Sequence, residues 1–499
     1  MAALLGWLRA DAGLLLNIAI FVAHLLVAAR AITRPNRIPV SRVAWVAVIM
    51  FLPVVGMLAY LLLGETSIGR RRMRRLRKAE AALAAAAEPF PAGRPDATLP
   101  APRVPVAVVP AAAGPLFDLA ASINGFAAVG GNRIGLAADS NAAIDALVAD
   151  VAAAREHVHL CFYIWLDDGN GGRVADAVAD AARRGVACRV MVDALGSRGF
   201  VRSPRWRQLR EAGVHLLATL DDIPRLGHLA LGRMDLRNHR KIAVIDDRVC
   251  HCGSQNCADP EFRIKARYAP WVDLMFRCEG DVVRQAQQLF LATWTAETGE
   301  RPERLPAAPP PPGGSGPGAV ALMFGTGPTT RGNAMSDMFV AALYAARREL
   351  VVTTPYFVPD EAILRALCAA PRRGVRTTLI LPARNDSRLV RDASRSCYED
   401  LLASGIGLYE YPLGLLHAKS ITIDGEVAMV GSANMDRRSL ELNYENNLLV
   451  ADRETVAAIR RRQMDYLAAS RPVDLAAVRA WPFHVRLAQN AVGMLAPLL

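Results

Sequence analysis

The sequence predicts an α/β protein with two similar lobes, each a mixed sheet flanked by helices, related by a pseudo-twofold axis. One observation is a H-x-K-x4-D motif at residues 239–246 that recurs at 417–424. A second is that strand-like apolar runs alternate with helical patterns in each half, which favours a sheet covered by helices. A third is a pair of N-terminal apolar runs, which predicts a transmembrane helical hairpin ahead of the lobes.

The hairpin prediction rests on the apolar runs at 13–29 and 43–63. The second run contains no charge and is long enough to cross a hydrocarbon core of roughly 30 Å. The first run is shorter, and no small-x-small cleavage site follows it, which disfavours a cleaved signal peptide. We therefore expect residues 1–65 to form two transmembrane helices at about 12–31 and 43–63.

The charge pattern bears on orientation and on partners. The chain of 499 residues has a formal net charge of +12 and a pI of about 9.6, and a dense cationic run lies at 69–78. A basic run beside a span predicts that everything after it is cytoplasmic, although the loop between the spans is also basic. Attraction to anionic lipid head groups is expected from such a run, and a topology signal alone is the alternative. We do not expect a nucleic-acid partner.

Composition divides the remaining chain into segments. An Ala- and Pro-rich stretch predicts a tether, and a run rich in Pro and Gly predicts a linker between the two motif-bearing halves. The apolar tail is expected to pack on the enzyme by default, with an interfacial membrane helix as the alternative. The predicted segments are a tether at 66–115, a first lobe at 116–300, a linker at 301–318, a second lobe at 319–482 and a tail at 483–499.

The repeated motif predicts a phosphodiester site built from two halves. Residues i and i+2 of an extended strand share a face, so each histidine projects beside its lysine. Each motif is followed at the same offset by a Gly-Ser-x-Asn turn, at 253–256 and 431–434. Lysines and polar turns suit the charged oxygens of a phosphodiester, one imidazole can attack phosphorus, and the other can serve as acid and base. The lysines supply the positive charge, so we expect no metal and no cofactor.

Roles follow for twelve candidate residues. The motif aspartates lie at odd offsets from the histidines and are expected to hold strand ends or turns, while two later acids are expected to orient the imidazoles. Which histidine is the nucleophile stays open. The candidate catalytic motif residues are His239, Lys241, Asp246, His417, Lys419 and Asp424; the candidate phosphate ligands are Ser254, Asn256, Ser432 and Asn434; the candidate orienting acids are Asp273 and Glu445.

A cysteine-rich segment overlaps the first turn. Cys250, Cys252 and Cys257, with His251 among them, resemble a metal-ligand set. The second repeat carries apolar side chains in this segment. Small apolar residues in a buried strand are therefore the favoured interpretation, with zinc as the alternative.

These motifs resemble the phospholipase D superfamily, whose duplicated HxKxxxxD signature both copies meet. The hairpin with RIPVSRVAWVAVIMFLPVVGMLAYLLLGE, the segments TPYFVPDE and GLLHAKSITIDGEVAMVGSANMDRRSLELNYE, and the closing APLL resemble bacterial cardiolipin synthases. The resemblance implies a multi-pass protein of the bacterial inner membrane. It also implies transfer of a phosphatidyl group between two phosphatidylglycerol molecules through a phosphohistidine. Carried onto this chain, it makes His239 the nucleophile, His417 the acid and base, and phosphatidylglycerol and other anionic lipids the partners.

Three other functions remain open from the sequence. A hydrolytic phospholipase D, or another phosphatidyltransferase, would use the same site with a different acceptor. A nuclease would also use it, but has no need of two spans. A non-catalytic membrane scaffold would be expected to have lost a histidine or a lysine, and all four are present.

Overall fold

The computed structural model describes residues 2–34, 39–64, 70–86, 109–111, 113–221, 236–300 and 318–495. The chain divides into two compact units. The smaller contains Met1–Gly69, and the larger, called here the catalytic unit, contains Arg70–Asp222 and Leu236–Gly493. Residues 301–317 of the predicted linker and most of the predicted tether after residue 86 lie outside the described residues.

The smaller unit is helical. Its helices are α1 (Ala2–Thr33), α2 (Pro39–Phe51) and α3 (Pro53–Ala59), followed by a π-helical turn at Tyr60–Gly64. Proline has no N–H to continue the α2 hydrogen bonds, so the helix is interrupted before Pro53. Helix α1 packs on α2 and α3, and Trp45 and Tyr60 meet edge to face with ring centroids 5.4 Å apart. In the described part of the chain, we find no helix with both the length and the apolar character to span a bilayer. The two predicted spans stay predictions.

The catalytic unit begins with a helix of the predicted tether and continues into the first lobe. Its helices to the end of that lobe are α4 (Arg70–Ala86), α5 (Gly114–Asn124), α6 (Ser140–Ala153), α7 (Gly169–Arg183), α8 (Arg198–Val201), α9 (Pro204–Glu211) and α10 (Val282–Thr298). Its strands there are β1 (Val129–Leu136), β2 (His157–Phe162), β3 (Ala187–Asp193), β4 (His215–Thr219), β5 (Arg237–Asn238), β6 (Ile242–Ile245), β7 (Val249–Gly253), β8 (Trp271–Val272) and β9 (Met275–Glu279).

The second lobe repeats this order and ends in a helical tail. Its helices are α11 (Ala334–Ala345), α12 (Glu361–Arg372), α13 (Arg388–Ser396), α14 (Tyr398–Ala403), α15 (Arg453–Ala468), α16 (Leu475–Arg479) and α17 (Phe483–Leu495). Its strands are β10 (Ala319–Thr326), β11 (Glu349–Thr353), β12 (Phe357–Val358), β13 (Arg376–Pro382), β14 (Gly407–Tyr411), β15 (Leu415–Leu416), β16 (Ser420–Ile423), β17 (Val427–Gly431), β18 (Met435–Asp436), β19 (Asn443–Ala451) and β20 (Arg471–Pro472).

The sheet shows the internal duplication directly. From β1 outward the strand order is β9, β7, β6, β2, β3, β4, and from β10 outward it is β19, β17, β16, β11, β13, β14. The two halves join where β1 pairs antiparallel with β10, the arrangement that a twofold axis between equivalent strands produces. The predicted two-lobe α/β fold with a mixed sheet is confirmed.

Apolar side chains form three large cores in the described part of this unit. One core lies under α6, α7 and α9, a second contains α10 and residues from the strands of both lobes, and a third lies under α11, α12 and α14. Helix α5 falls within the predicted first lobe, yet Leu116, Phe117 and Ala120 are buried in the third core, with second-lobe residues. A helix of the predicted first lobe therefore packs in the core of the second, which the linear boundary at residue 116 does not anticipate.

Helix α4 and the tail differ in how they use their apolar faces. Helix α4 buries Leu76 and Ala79, and the Arg72 guanidinium donates to both Glu297 carboxylate oxygens at 2.9 and 2.8 Å. Helix α17 instead leaves the apolar side chains of Phe483 and Leu487 79% and 56% exposed, while the polar side chain of Gln489 is buried. The default expectation that the apolar tail packs on the enzyme is wrong for these two side chains.

The cysteine-rich segment separates into different environments. Cys250 and Cys252 on β7 and Cys278 on β9 are buried with their Sγ atoms all within 4.8 Å of one another. Cys257 lies instead in the core under α6 and α7, and the His251 ring contacts the Asp150 carboxylate at 2.7 Å. The structure therefore does not bring together the four residues that resemble a metal-ligand set in the sequence. Cys278, which does lie beside Cys250 and Cys252, was not predicted.

The second lobe provides an internal comparison for this thiol cluster. The strand register places Ala428, Val430 and Val450 at the positions equivalent to the three clustered cysteines. Apolar residues thus do the same packing in one lobe that thiols do in the other. This favours the interpretation of the cysteines as small core residues.

The motif aspartates hold the backbone of neighbouring strands. Both adopt left-handed φ values, 51° for Asp246 and 55° for Asp424. The Asp246 carboxylate accepts from the N–H groups of residues 155–157 at 2.8 Å each. The Asp424 carboxylate accepts from the N–H groups of residues 347–349 at 2.7 to 2.9 Å. The prediction that the two aspartates are catalytic is therefore corrected, because both carboxylates stabilise the fold.

Candidate active site

The two motif histidines are held by backbone pairing between the lobes. Strand β5, directly before His239, pairs in parallel with β19 of the second lobe, and the His239 N–H donates to the Tyr444 carbonyl at 2.9 Å. Strand β15, directly before His417, pairs in the same way with β8 of the first lobe, and the His417 N–H donates to the Val272 carbonyl at 2.8 Å. Each half of the site is therefore made by both lobes.

The orienting acids follow the same exchange. His239 Nδ1 contacts Glu445 Oε2 at 2.8 Å, and His417 Nδ1 contacts Asp273 Oδ1 at 2.7 Å. All four side chains are buried. A carboxylate on Nδ1 fixes the proton there and leaves the Nε2 lone pair for chemistry. The sequence identified these acids, but each serves the imidazole of the opposite lobe.

The serines of the Gly-Ser-x-Asn turns lie behind the acids. Ser254 Oγ donates to Asp273 at 2.6 Å and accepts from the Leu274 N–H at 2.9 Å. Ser432 Oγ donates to Glu445 at 2.5 Å and accepts from the Asn446 N–H at 2.9 Å. The predicted phosphate-binding role of both serines is corrected by these contacts, because the hydroxyl proton is already engaged by a carboxylate.

The asparagines of the same turns differ from each other. Asn256 Oδ1 accepts from the Ile164 N–H at 3.2 Å. Asn434 is buried, and its Oδ1 has no hydrogen-bond partner among the described residues. Their role as phosphate ligands stays a prediction.

The lysines point back toward their own histidines. Lys241 Nζ donates to the His239 carbonyl at 2.7 Å, and Lys419 Nζ donates to the His417 carbonyl at 2.6 Å. Lys419 Nζ also lies 3.0 Å from His417 Nε2. With Nδ1–H directed at Asp273, that Nε2 accepts from the ammonium. Two buried ammonium groups beside two imidazoles form a preorganised site for an anionic phosphoryl group.

Burial and mutual repulsion set the protonation states. Burial, together with the ammonium groups of both motifs, lowers the pKa of each imidazole to about 4, against the attraction of its acid. Burial likewise lowers the pKa of Lys241 to about 8 and of Lys419 to about 7. Burial alone would raise the pKa values of Asp273 and Glu445, but the adjacent imidazole and lysine keep both below their ordinary values. The charge of each lysine lowers the pKa of the imidazole in the opposite motif as well as its own. The two motifs therefore lie close enough to form a single site.

These values predict an alkaline loss of activity. The free site holds both ammonium charges below about pH 7 and loses them as the pH rises through the two lysine pKa values. We expect kcat/KM for an anionic phosphodiester to fall about tenfold or more between pH 7 and pH 9, since kcat/KM reports the free enzyme. In Lys419→Arg, which stays charged, the alkaline limb should move upward even if the rate is lower. A flat profile over this range in the unmodified enzyme would contradict the assignment.

Aromatic side chains flank the imidazoles and were missed from the sequence. The Tyr163 ring meets His239 with centroids 4.8 Å apart, and the Trp271 ring meets His417 at 4.6 Å. Tyr163 directly follows β2, and Trp271 lies two residues before Asp273. Tyr356 of the second lobe also meets His417 edge to face, with centroids 6.3 Å apart. Trp271 has no aromatic equivalent, because Asn443 stands two residues before Glu445.

Arg240, the middle residue of the first motif, is a further missed side chain. It is buried and donates to the carbonyls of Glu445 and Leu289 at 3.2 and 3.1 Å and to Thr293 Oγ1 at 2.8 Å. The equivalent residue of the second motif is Ala418. Arg240 therefore ties the first motif to α10 and to the segment that carries Glu445.

Comparison with known proteins places this site in context. The family described as "Cardiolipin synthase, PLD-like domain" matches residues 147–294 and 339–465, and the family described as "Phospholipase_D-nuclease N-terminal" matches residues 15–65. Cardiolipin synthase A of Cronobacter sakazakii is 37% identical over 480 residues, covering 94% of this chain and 95% of that protein. Cardiolipin synthase A of Escherichia coli is 36% identical over the same length and shares of the two chains.

One solved structure supports the fold. The crystal structure of phosphatidylserine synthase from Haemophilus influenzae has a TM-score of 0.56 and 11% sequence identity, covering 73% of this chain and 95% of that one. At this identity the likeness concerns the fold alone.

Proposed function

Because this chain belongs to the cardiolipin synthase family of phospholipase D-like proteins, we propose that its paired-histidine site transfers a phosphatidyl group from one phosphatidylglycerol to another. The products are cardiolipin and glycerol. The chain is an enzyme of the phosphatidyltransferase type, and its relatives at 36–37% identity over 94% of the chain support cardiolipin synthase activity. The observation that carries the reaction is the pair of buried imidazoles, each with a carboxylate on Nδ1 and a lysine beside it.

In the first step, His239 is the proposed nucleophile. Its Nε2 lone pair forms the P–N bond while the bond from phosphorus to the head-group glycerol oxygen breaks. His417 Nε2–H donates its proton to that oxygen, so glycerol leaves neutral. The phosphodiester anion raises the proton affinity of His417 when it binds, and Lys241 and Lys419 stabilise the charge that grows on the non-bridging oxygens.

In the second step, a hydroxyl of another phosphatidylglycerol attacks the phosphohistidine. Neutral His417 takes the hydroxyl proton, the new P–O bond forms, and the P–N bond breaks. His239 returns to its neutral form and cardiolipin is complete, so protons and charge balance over the cycle.

One asymmetry in the site supports this division of roles. Lys419 Nζ lies 3.0 Å from His417 Nε2, which places a proton donor directly on that nitrogen. An imidazole whose Nε2 accepts from an ammonium is a poorer nucleophile and is close to a proton source. These properties fit the acid and base better than the attacking group, in agreement with the family resemblance.

Membership of this family implies a bacterial membrane-associated enzyme. We infer further that residues 1–65 anchor it as a multi-pass protein of the inner membrane, with the lobes on the cytoplasmic side. Helices α1 to α3 expose large aliphatic and aromatic side chains, such as Val43 at 70% and Phe51 at 84%. The cationic run that follows them favours the cytoplasmic side.

The activity is tested with phosphatidylglycerol labelled in the head-group glycerol and in one acyl chain. We expect one free glycerol for each cardiolipin formed. Labelled phosphatidic acid with glycerol but without cardiolipin would assign the site to hydrolysis instead. Cleavage of single-stranded DNA without lipid turnover would assign it to a nuclease.

A further inference from the structure

Exposed aliphatic side chains are few in the catalytic unit, and most of them lie around the site. Among its described residues, the large aliphatic side chains that are exposed are Leu195, Ile264, Leu389, Leu413 and Leu487, at 54%, 64%, 49%, 60% and 56%. The last of these lies on α17. The other four lie one on each of the segments 194–202, 261–268, 383–391 and 412–414, which together we call the rim. Leu389 is at the start of α13, and the other three lie outside the α-helices and strands.

Sheet topology puts the rim on the same edge as the histidines. Strands β2, β3 and β4 are parallel, as are β11, β13 and β14, so their carboxyl ends share one edge in each lobe. Strands β6 and β16, which follow the motifs, run antiparallel to β2 and β11 and so begin at that edge. Leu195 follows β3, Leu389 follows β13 and Leu413 follows β14.

On the His239 side, one rim segment touches an aromatic residue of the site. Ser197 Oγ donates to the Tyr163 carbonyl at 3.1 Å, and the backbone at Gly196 packs against Tyr163 so closely that an added Cβ would lie 2.4 Å from its carbonyl oxygen. Tyr163 in turn packs on the His239 ring. The turn that exposes Leu195 is therefore one side chain away from the proposed nucleophile.

On the His417 side, the segment that carries Ile264 is in contact with the site through stacked rings. Phe262 stacks on Trp271 with centroids 4.0 Å apart, and Trp271 packs on His417. Lys265 pairs with Asp386, which accepts from the Tyr356 hydroxyl at 2.8 Å. Two rim segments from different lobes are thereby joined beside His417.

The charge of the rim is strongly cationic. Its four segments contain eight arginine or lysine residues against two acids, Glu261 and Asp386, and one of those acids is already paired with Lys265. Ile264 stands between Arg263 and Lys265, and Leu389 follows Arg388, so exposed aliphatic tips alternate with cationic groups. Single apolar side chains among cations suit an anionic bilayer surface, where the aliphatic tips enter the acyl boundary and the cations meet phosphates.

We propose that the rim is an interfacial docking surface for anionic phospholipid bilayers. It would hold the sheet edge that carries the two histidines against the membrane. This inference rests on the proposed function, because it explains how two diacyl substrates reach buried imidazoles while their chains stay in the bilayer. A protein partner fits less well, since such interfaces bury a contiguous apolar patch, whereas these four side chains are separated by charged residues.

The test compares phosphatidylglycerol in a bilayer with phosphatidylglycerol dissolved as monomers. Full-length enzyme is placed in phosphatidylcholine vesicles and supplied either with long-chain phosphatidylglycerol in the same bilayer or with monomeric dihexanoyl-phosphatidylglycerol in solution. The variant combines Leu195→Ser, Ile264→Ser, Leu389→Ser and Leu413→Ser, and none of these residues contacts the imidazoles. We expect kcat/KM for the bilayer substrate to fall about tenfold or more, because membrane affinity scales with buried apolar area. The value for the soluble substrate should stay within about twofold.

The control variant is Tyr344→Ser. Tyr344 is 50% exposed at the end of α11, which precedes β11 and so lies toward the opposite sheet edge. It should leave both substrates unaffected. Equal losses on both substrates in the rim variant, or no loss on the bilayer substrate, would overturn the docking surface. Absence of turnover with either substrate in the unmodified enzyme would instead overturn the proposed function.

Discussion

Replacing His239 or His417 by alanine is expected to lower phosphatidyl transfer by at least about 10³-fold, since loss of a member of a catalytic group removes most of its contribution. Both imidazoles are buried between a carboxylate and a lysine of a shared site, so nothing nearby can substitute for either. The measurement is the rate of cardiolipin formation from labelled phosphatidylglycerol in vesicles. His215→Ala, at an exposed position, is the matched control and should retain full activity.

The same variants separate the two roles. A site that keeps the nucleophile but lacks the acid and base should form a phosphatidyl-enzyme slowly and break it down more slowly still. We therefore expect acid-labile label on the protein to accumulate in His417→Ala and to be absent in His239→Ala. The reverse pattern would exchange the roles, and near-normal turnover in either variant would contradict the paired-imidazole mechanism. Thermal unfolding of each variant checks that the fold is retained.

Removing the charge of either orienting acid should cost about 10² to 10⁴ in kcat, by analogy with a carboxylate that holds a catalytic imidazole in its reactive tautomer. In Glu445→Gln the new amide can donate to His239 Nδ1, which moves the imidazole proton to Nε2 and blocks attack. Asp273→Asn should do the same to His417. The measurement is kcat and KM for each variant, because a purely structural loss would lower the folded fraction without changing KM or the pH profile.

The cross-lobe contacts make this second prediction specific. Glu445→Gln acts on the proposed nucleophile, so little phosphatidyl-enzyme should form, whereas Asp273→Asn acts on the acid and base and should let it accumulate. Accumulation in Glu445→Gln instead would show that each acid serves its own lobe or that the roles are exchanged. The control for the change in charge is Glu361→Gln, which replaces an exposed carboxylate by an amide.

The duplicated motif was enough to predict the two lobes, their pseudo-twofold relation and the histidine and lysine pairs. Periodicity and repeats report on what is local along the chain, namely which residues share a strand face and which segments are equivalent. Spacing also pointed to Asp273 and Glu445, although not to the imidazole that each one orients.

Only the tertiary structure shows which acid contacts which imidazole and what the turn serines contact. His239 and Glu445 are 206 residues apart, and His417 and Asp273 are 144 apart. The serines of the turns offered the same hydroxyl to a substrate phosphate or to a carboxylate, and packing placed Ser254 and Ser432 on the carboxylates. Trp271 and Arg240 are matched in the second half by Asn443 and Ala418, so a comparison of the halves could not reveal them.

What the sequence determined by itself was the chemistry that this chain carries and the twofold plan on which it is arranged. What the tertiary structure decided was the exchange: β5 pairs with β19 and β15 with β8, so each imidazole meets the acid of the other lobe. The physical reason is that a strand pattern specifies which face is buried but not which distant backbone completes its hydrogen bonds. That choice is made by the packing of the two lobes as a whole.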